Sequence, residues 1–189
     1  TASLTQFITA DEDLWYSNPY SGRVQLYYDS LGQKDWMKTR INDKPGVTLA
    51  LISGLGMLWE KNPEDKIISM ERLAIIYSPS KNIETNYYYR FPVLLFNGLL
   101  GFLFFWLIKR LTENHWIALI ATGLIWVFPV TLGISQIVNP DSVLWSCSFA
   151  AFLSFLSFLK KNSLADAIIA SIFLGMALAS KYAAIILFL

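Results

Sequence analysis

Five charged side chains are the first candidates for chemistry, because each stands where polar sequence meets apolar sequence. They are Asp11, Asp43, Lys44, Asp141 and Lys181. Carboxylates can act as general bases, and ammonium groups can stabilise negative charge as it develops. A mixed cluster of this kind at a membrane surface is a candidate functional site. These residues can form such a site only if the fold brings them to the same side of the membrane.

The composition indicates a membrane protein. Of the 189 residues, 54% are hydrophobic and 15% are aromatic, which is more apolar surface than one soluble core of this size needs. The formal net charge of +1 gives no electrostatic preference for nucleic acid, so nucleic acid is not expected as a partner. The single histidine, His115, and the single cysteine, Cys147, argue against a histidine triad, a zinc site or an intrachain disulfide.

Four apolar segments have about the length that a helix needs to cross a bilayer, roughly 20 residues. They are residues 91–108, 116–138, 143–159 and 164–182. Pro129 lies inside the second segment, where a membrane helix tolerates proline because neighbouring groups satisfy the freed carbonyl. The pattern therefore predicts an all-α fold, a multi-pass membrane helix bundle.

The turns between these segments predict which ends share a side of the membrane. Residues 109–115 and 160–162 carry lysine or arginine, which favours the cytoplasmic side. By parity, Arg90, Asp141 and Lys181 are then expected together on the non-cytoplasmic side.

The first part of the chain, residues 11–90, is predicted to be an outer loop that contains surface helices. Residues 1–10 are expected to be the end of a missing first span. Apolar residues at helical spacing predict a short helix at 23–31 and an amphipathic helix at 65–77. Residues 46–59 are apolar but, at about 14 residues, short for a span, so we expect an interfacial helix there. This placement keeps all five charged candidates on one side.

Each candidate also has an ordinary structural explanation. Asp11 could cap the N-terminus of a surface helix, and Asp141 follows an Asn-Pro pair that is typical of a helix start. Lys44 could be a solvated loop charge, and Lys181 could be a lysine that snorkels at a helix end.

The acidic run Asp11-Glu12-Asp13 is also a D-x-D pattern, which in many soluble sugar transferases holds a metal bound to a nucleotide diphosphate. That use requires an α/β nucleotide-binding domain around it. The sequence shows no succession of strands and helices, so no metal site is expected.

Six short motifs give the chain a resemblance to a known family. In order they are Asp11-Glu12, Lys34-Asp35-Trp36, Asp43-Lys44-Pro45, Arg90-Phe91-Pro92, Asn139-Pro140-Asp141 and Ala179-Ser180-Lys181-Tyr182. In this order and spacing, the chain resembles the multi-pass GT-C glycosyltransferases. It is most similar to the protein-mannosyltransferase-like group that includes the bacterial aminoarabinose transferase acting on lipid A. That family has juxtamembrane helices in its first outer loop, which matches the interfacial helix expected at residues 46–59.

The resemblance implies transfer of a sugar from a polyprenyl-phosphate carrier to an acceptor hydroxyl on the outer face, with inversion at the anomeric carbon. Asp11 matches the catalytic aspartate, which takes the proton from the hydroxyl or orients it. The substrate-binding residues implied by the same match are Glu12, Asp43, Lys44, Asp141 and Lys181. Among these, the resemblance implies that Lys44 contacts the carrier phosphate and that Lys181 is a second cation near the lipid head.

The resemblance also implies the surroundings of the protein. The expected partners are the lipid bilayer, a polyprenyl-phosphate-linked sugar and an acceptor glycan, lipid or protein, with no cofactor. The expected location is the plasma (inner) membrane of a prokaryote, with the active face outward. The alternative is a transporter or channel module in which Asp141 and Lys181 form a charge pair along a path. Because the family's first span and C-terminal half are absent, this fragment is expected to be inactive alone.

Overall fold

A computed structural model describes Glu12 and residues 15–16, 22–39, 45–59 and 79–188 of the chain. The α-helices in these ranges are α1 (Arg23–Gly32), α2 (Val47–Ser53), α3 (Pro79–Thr112), α4 (His115–Val127), α5 (Pro129–Ile134), α6 (Pro140–Lys161) and α7 (Leu164–Ser180). Two 3₁₀ helices follow α2 and α7, at Gly54–Leu58 and Tyr182–Phe188. The described ranges contain no strand, so the prediction of an all-α fold is confirmed for them.

Within the described ranges, two helices are long and apolar enough to cross a membrane. They are the Asn86–Thr112 part of α3 and the whole of α6. Helices α4 and α7 are also apolar, but with 13 and 17 residues they are shorter. A multi-pass bundle agrees with this architecture.

The second predicted span, residues 116–138, is not one helix. Helix α4 ends at Val127, Phe128 adopts an extended conformation with φ −62° and ψ 121°, and α5 begins at Pro129. Proline lacks the N–H that would continue the helix, and its ring disfavours a helical conformation of the preceding residue. Residues 116–138, predicted as one span with Pro129 inside it, therefore contain two helices that meet at Phe128.

Helix α3 begins earlier than predicted. It starts at Pro79 rather than at residue 91, so Tyr87 and Arg90 lie inside the helix and not at its border. Helix α1 agrees closely with the helix predicted at 23–31. The helix predicted at 65–77 falls outside the described residues, as do residues 1–10.

The turn between α3 and α4 and the turn between α6 and α7 meet at one end of the bundle, which we call the basic end. Lys160 Nζ donates a hydrogen bond to the carbonyl oxygen of Leu111 at 2.7 Å, and Lys161 Nζ donates one to the carboxylate of Glu113. The hydrogen bonds from Lys161 and Lys160 hold the pKa of the Glu113 carboxyl below its usual range. The two turns, which the sequence pattern places on the same side of the membrane, thus lie at the same end of the bundle.

A buried carboxylate ties the same end together. Asp166 is fully buried in the first turn of α7, and its Oδ2 accepts hydrogen bonds from Arg110 Nε at 3.1 Å and from Ser157 Oγ at 2.8 Å. Arg110 Nη2 lies 3.0 Å from the same oxygen. A buried charge is tolerated only when it is paired and hydrogen-bonded, and these donors on α3 and α6 provide the pairing through Oδ2, while Oδ1 accepts no hydrogen bond.

The segment formed by α2 and the following 3₁₀ helix lies across the other end of the bundle, which we call the opposite end. The N–H of Gly46 donates to the carbonyl of Ser180 at 3.0 Å, and Ser53 Oγ donates to the carbonyl of Tyr89 at 3.0 Å. Both ends of α2 are thus attached to the same end of the bundle. The segment does not cross the bundle, as predicted for residues 46–59.

The small residues of this segment face the bundle. A Cβ atom added at Gly56 would lie 2.0 Å from the carbonyl oxygen of Tyr88, so only glycine permits this close approach. Three of the four leucines of the segment, Leu51, Leu55 and Leu58, are exposed, whereas Leu49 is buried in the core. The three exposed leucines give the segment an apolar surface that faces away from the protein.

Candidate functional site

A buried ion pair lies at the opposite end of the bundle. Arg90 Nε donates to Glu12 Oε1 at 2.7 Å, and Arg90 Nη2 donates to Glu12 Oε2 at 2.7 Å. The side chains of Arg90 and Glu12 are only 2% and 0% exposed. Two parallel hydrogen bonds from a guanidinium to a carboxylate form the strongest and most directional kind of ion pair, and such geometry is needed to offset the cost of burying both charges.

The same carboxylate also binds the link between α5 and α6. The backbone N–H of Val138 donates to Glu12 Oε1 at 2.9 Å. Val138 directly precedes Asn139, whose Oδ1 accepts the N–H of Asp141 at 2.8 Å and so caps α6. Glu12 therefore connects the first polar part of the chain to the start of the helix that carries Asp141.

Aromatic contacts attach the neighbouring residues to α3. The hydroxyl of Tyr16 donates to Asn86 Oδ1 at 2.7 Å, and its ring stacks on Tyr89 with centroids 5.0 Å apart. Asn86, Tyr89 and Arg90 are spaced i, i+3 and i+4, which places them on one face of the helix. Trp15 is buried next to Gly46, whose positive φ of 59° and lack of a side chain leave room for the indole.

A second ion pair joins α6 to the end of α7. Lys181 Nζ donates to Asp141 Oδ1 at 2.6 Å, and the two side chains are 32% and 36% exposed. Lys181 directly follows α7 in an extended conformation. Unlike the Glu12–Arg90 pair, this pair is accessible, so a charged ligand can approach it.

Three of the six predicted site residues can be located, and all three lie at the opposite end. Glu12 is buried in its pair with Arg90, whereas Asp141 and Lys181 bind each other near the surface. The predicted residues Asp11, Asp43 and Lys44 lie outside the described residues. Their substrate roles, like those of the other three, stay predictions.

Arg90 is the residue whose importance the sequence understated. Its position beside an apolar run predicts a side chain at the headgroup level, but the structure shows it buried against Glu12. The sequence did contain an indication of this ion pair. An arginine beside a long apolar segment can become buried, and a buried arginine requires a carboxylate partner. Within the described residues, no group of three or more histidine, cysteine, aspartate or glutamate side chains is arranged to hold a metal ion.

The comparison with known families defines the class of this protein. An all-helical apolar bundle with ion pairs at its two ends agrees with a membrane-embedded glycosyltransferase of GT-C type. The sequence pattern of the family described as dolichyl-phosphate-mannose-protein mannosyltransferase matches residues 83–189, more than half of the chain. The chain belongs to this family, and the suspected relationship to mannosyltransferase-like GT-C enzymes is confirmed.

Membership of this family, together with the apolar helices, indicates an integral membrane protein. No curated protein and no solved structure matches the chain.

Proposed function

We propose that this protein transfers a sugar from a polyprenyl-phosphate carrier to an acceptor hydroxyl, with inversion at the anomeric carbon. The observation that carries the proposal is the accessible Asp141–Lys181 pair at the end of the bundle opposite the lysine-rich turns. The family description supports the same donor class, because dolichyl phosphate mannose is a sugar carried on a polyprenyl phosphate.

The proposed reaction is a single displacement. Asp11 accepts the proton of the acceptor hydroxyl, the hydroxyl oxygen forms a bond to the anomeric carbon, and the bond from that carbon to the phosphate oxygen breaks. The electron pair of the broken bond stays on the polyprenyl phosphate, which gains a negative charge. Lys44 and Lys181 stabilise this charge, while Asp43 and Asp141 orient the lysines and the sugar.

The attachment of Gly46 to Ser180 is compatible with binding of one phosphate by both lysines. The N–H of Gly46 binds the carbonyl of Ser180, which is adjacent to Lys181. Lys44 is two residues from Gly46, a separation that an extended backbone spans in about 7 Å. At this chain separation, the long side chains of Lys44 and Lys181 can reach a common anion. Each lysine also has a carboxylate nearby: Asp43 is adjacent to Lys44 in sequence, and Asp141 binds Lys181.

The proposed setting is the plasma (inner) membrane of a prokaryote, with the opposite end outward and an acceptor glycan, lipid or protein. The lysines and Arg110 at the basic end support this orientation, since basic residues favour the cytoplasmic side. No comparable observation supports the alternative function, a transporter. A transporter would be expected to carry its charge pair near the middle of the bilayer, whereas Asp141 and Lys181 lie at the ends of their helices.

The first prediction concerns the donor. The full-length protein in lipid vesicles is expected to transfer sugar from a polyprenyl-phosphate-linked donor and not from a nucleotide-linked one, because the proposed site binds a lipid phosphate through lysines. Transfer is measured with radiolabelled donors, and the anomeric configuration of the product by NMR. A product with the configuration of the donor, or equal use of the nucleotide sugar, would contradict the proposal.

The second prediction concerns orientation. In a variant whose buried Cys147 is replaced by serine, a cysteine at Lys38 is expected to react with an impermeant thiol reagent applied outside intact cells. Lys38 is 65% exposed and follows α1, which is bound to α2 by the hydrogen bond from the Tyr28 hydroxyl to Leu51. A cysteine at the exposed His115 of the basic end is expected to react only after the membrane is permeabilised. Labelling of both positions from outside would refute this orientation, which places them on different sides of the membrane.

A further inference from the structure

The carboxylate of Glu12 holds three separate parts of the chain together. It accepts two hydrogen bonds from Arg90 on α3 and one from the backbone N–H of Val138, in the link before α6. We call this group, Glu12 with Arg90 and the N–H of Val138, the three-part anchor. Its two side chains are almost completely buried, so they are not placed to contact a substrate from solvent.

Glu12 is bonded to Asp11, the proposed general base. Consecutive Cα atoms are 3.8 Å apart across a trans peptide bond, so fixing Glu12 restricts where Asp11 can be. Tyr16 provides a second attachment four residues later through its hydrogen bond to Asn86. The segment that follows Asp11 is therefore bound to α3 at two points rather than by one contact.

We propose that Glu12 and Arg90 are positioning residues, which act on the reaction by fixing Asp11 relative to the start of α6. This inference rests on the proposed function, and it replaces the expected role of Glu12 as a substrate ligand. The hydrogen bond from the N–H of Val138 also connects the anchor to the link before α6. Because Asp141 is three residues beyond Val138 and binds Lys181, the anchor also connects Glu12 to the part of the chain that holds Lys181.

The planar fork of Arg90 is essential to this role. Lysine keeps the positive charge but cannot form two parallel hydrogen bonds to one carboxylate, so the direction of the Glu12 side chain would be less restricted. A carboxylate that shifts also leaves the N–H of Val138 without its acceptor. Small displacements of a catalytic group can lower a rate strongly, and we expect a loss of about tenfold for this conservative change.

The test is Arg90→Lys in the full-length protein, assayed with a polyprenyl-phosphate-linked sugar. The expected result is a kcat lowered by about tenfold with little change in the KM for the donor, since the substrate contacts remain. The matched control is Arg110→Lys. Arg110 lies on the same helix and also uses Nε and Nη2 to bind a buried carboxylate, that of Asp166, but at the basic end. The Arg110→Lys variant is expected to have lower thermal stability and an unchanged kcat.

A double variant distinguishes positioning from an independent role. If Arg90 acts through Asp11, then Asp11→Asn combined with Arg90→Lys is expected to be no slower than Asp11→Asn alone. Multiplied losses, or a raised KM with normal kcat, would overturn the positioning role while leaving the proposed function intact. Near-normal activity of Asp11→Asn alone would overturn both.

Glu12→Asp provides the same test if Arg90→Lys fails to accumulate. It keeps the charge but withdraws the carboxylate by one methylene group, so the expected result is again a lowered kcat with the donor KM retained. Unchanged kcat in a folded Glu12→Asp protein would overturn the positioning role.

Discussion

Asp11→Asn is expected to lower sugar transfer by the full-length protein by about 10²–10⁴-fold, the usual loss when a general base is removed. Asparagine has nearly the same size and hydrogen-bonding capacity as aspartate, but its amide oxygen does not accept a proton at neutral pH. The loss is therefore expected in kcat, with the donor KM and the amount of folded protein retained. The measurement is the initial rate of transfer from a polyprenyl-phosphate-linked sugar at saturating donor.

Asp13→Asn is the matched control for this prediction, because it removes an identical carboxylate two residues away in the same acidic run. Its rate is expected to stay close to that of the unaltered protein. If Asp11→Asn were equally active, Asp11 would have only the helix-capping role that its sequence also allows. Equal losses in both variants would instead show that the charge of the run, and not one base, matters.

Lys181→Met and Lys44→Met are each expected to weaken binding of a polyprenyl phosphate by about 1–3 kcal/mol, which is about 5–150-fold in Kd. Methionine retains most of the apolar stem and removes the ammonium group that donates charge-assisted hydrogen bonds to the phosphate. The double variant is expected to lose less than the sum of the two, because cations that share one phosphate are coupled through it. Titration of the purified full-length protein with the lipid phosphate measures all three.

Lys160→Met is the control for these lysines. Lys160 is also a helix-end lysine with an apolar stem, but it lies at the basic end, where it binds the carbonyl of Leu111. No change in lipid-phosphate affinity is expected for it. If Lys181→Met behaved like this control, Lys181 would be a snorkelling lysine paired with Asp141 and not a phosphate ligand.

The features that could be predicted from the sequence are those set by local chemistry. The start of α6 follows from Asn139 and Pro140, since the asparagine side chain caps the helix and proline suits its first position. The turns at 109–115 and 160–162 share one end because consecutive helices run antiparallel through short links. Residues 46–59 do not cross the bundle, as their length of about 14 residues suggested, since it is short for a span.

The features that could not be predicted depend on contacts between distant residues. Glu12 is separated from Arg90 by 78 positions and from Val138 by 126. No periodicity connects residues so far apart, so Arg90 was expected at the headgroup level. The break at Phe128 was missed for another reason. Proline within a membrane helix is often tolerated, and whether neighbouring groups compensate for its missing N–H depends on packing that the sequence does not show.

The exposed leucines of α2 and the following 3₁₀ helix, which lie at the opposite end of the bundle, affect how the protein sits in its bilayer. Leu51, Leu55 and Leu58 are exposed, while the other side of the segment is attached to α3 and α7. Apolar side chains on a surface helix enter the boundary between headgroups and acyl chains by about 5–10 Å. Because the segment is joined to Ser180, a segment immersed in this way would hold the adjacent Lys181 near the lipid surface. In the proposed function, the phosphate of a lipid-linked donor would lie at that surface and could reach the lysine by lateral diffusion, without leaving the membrane.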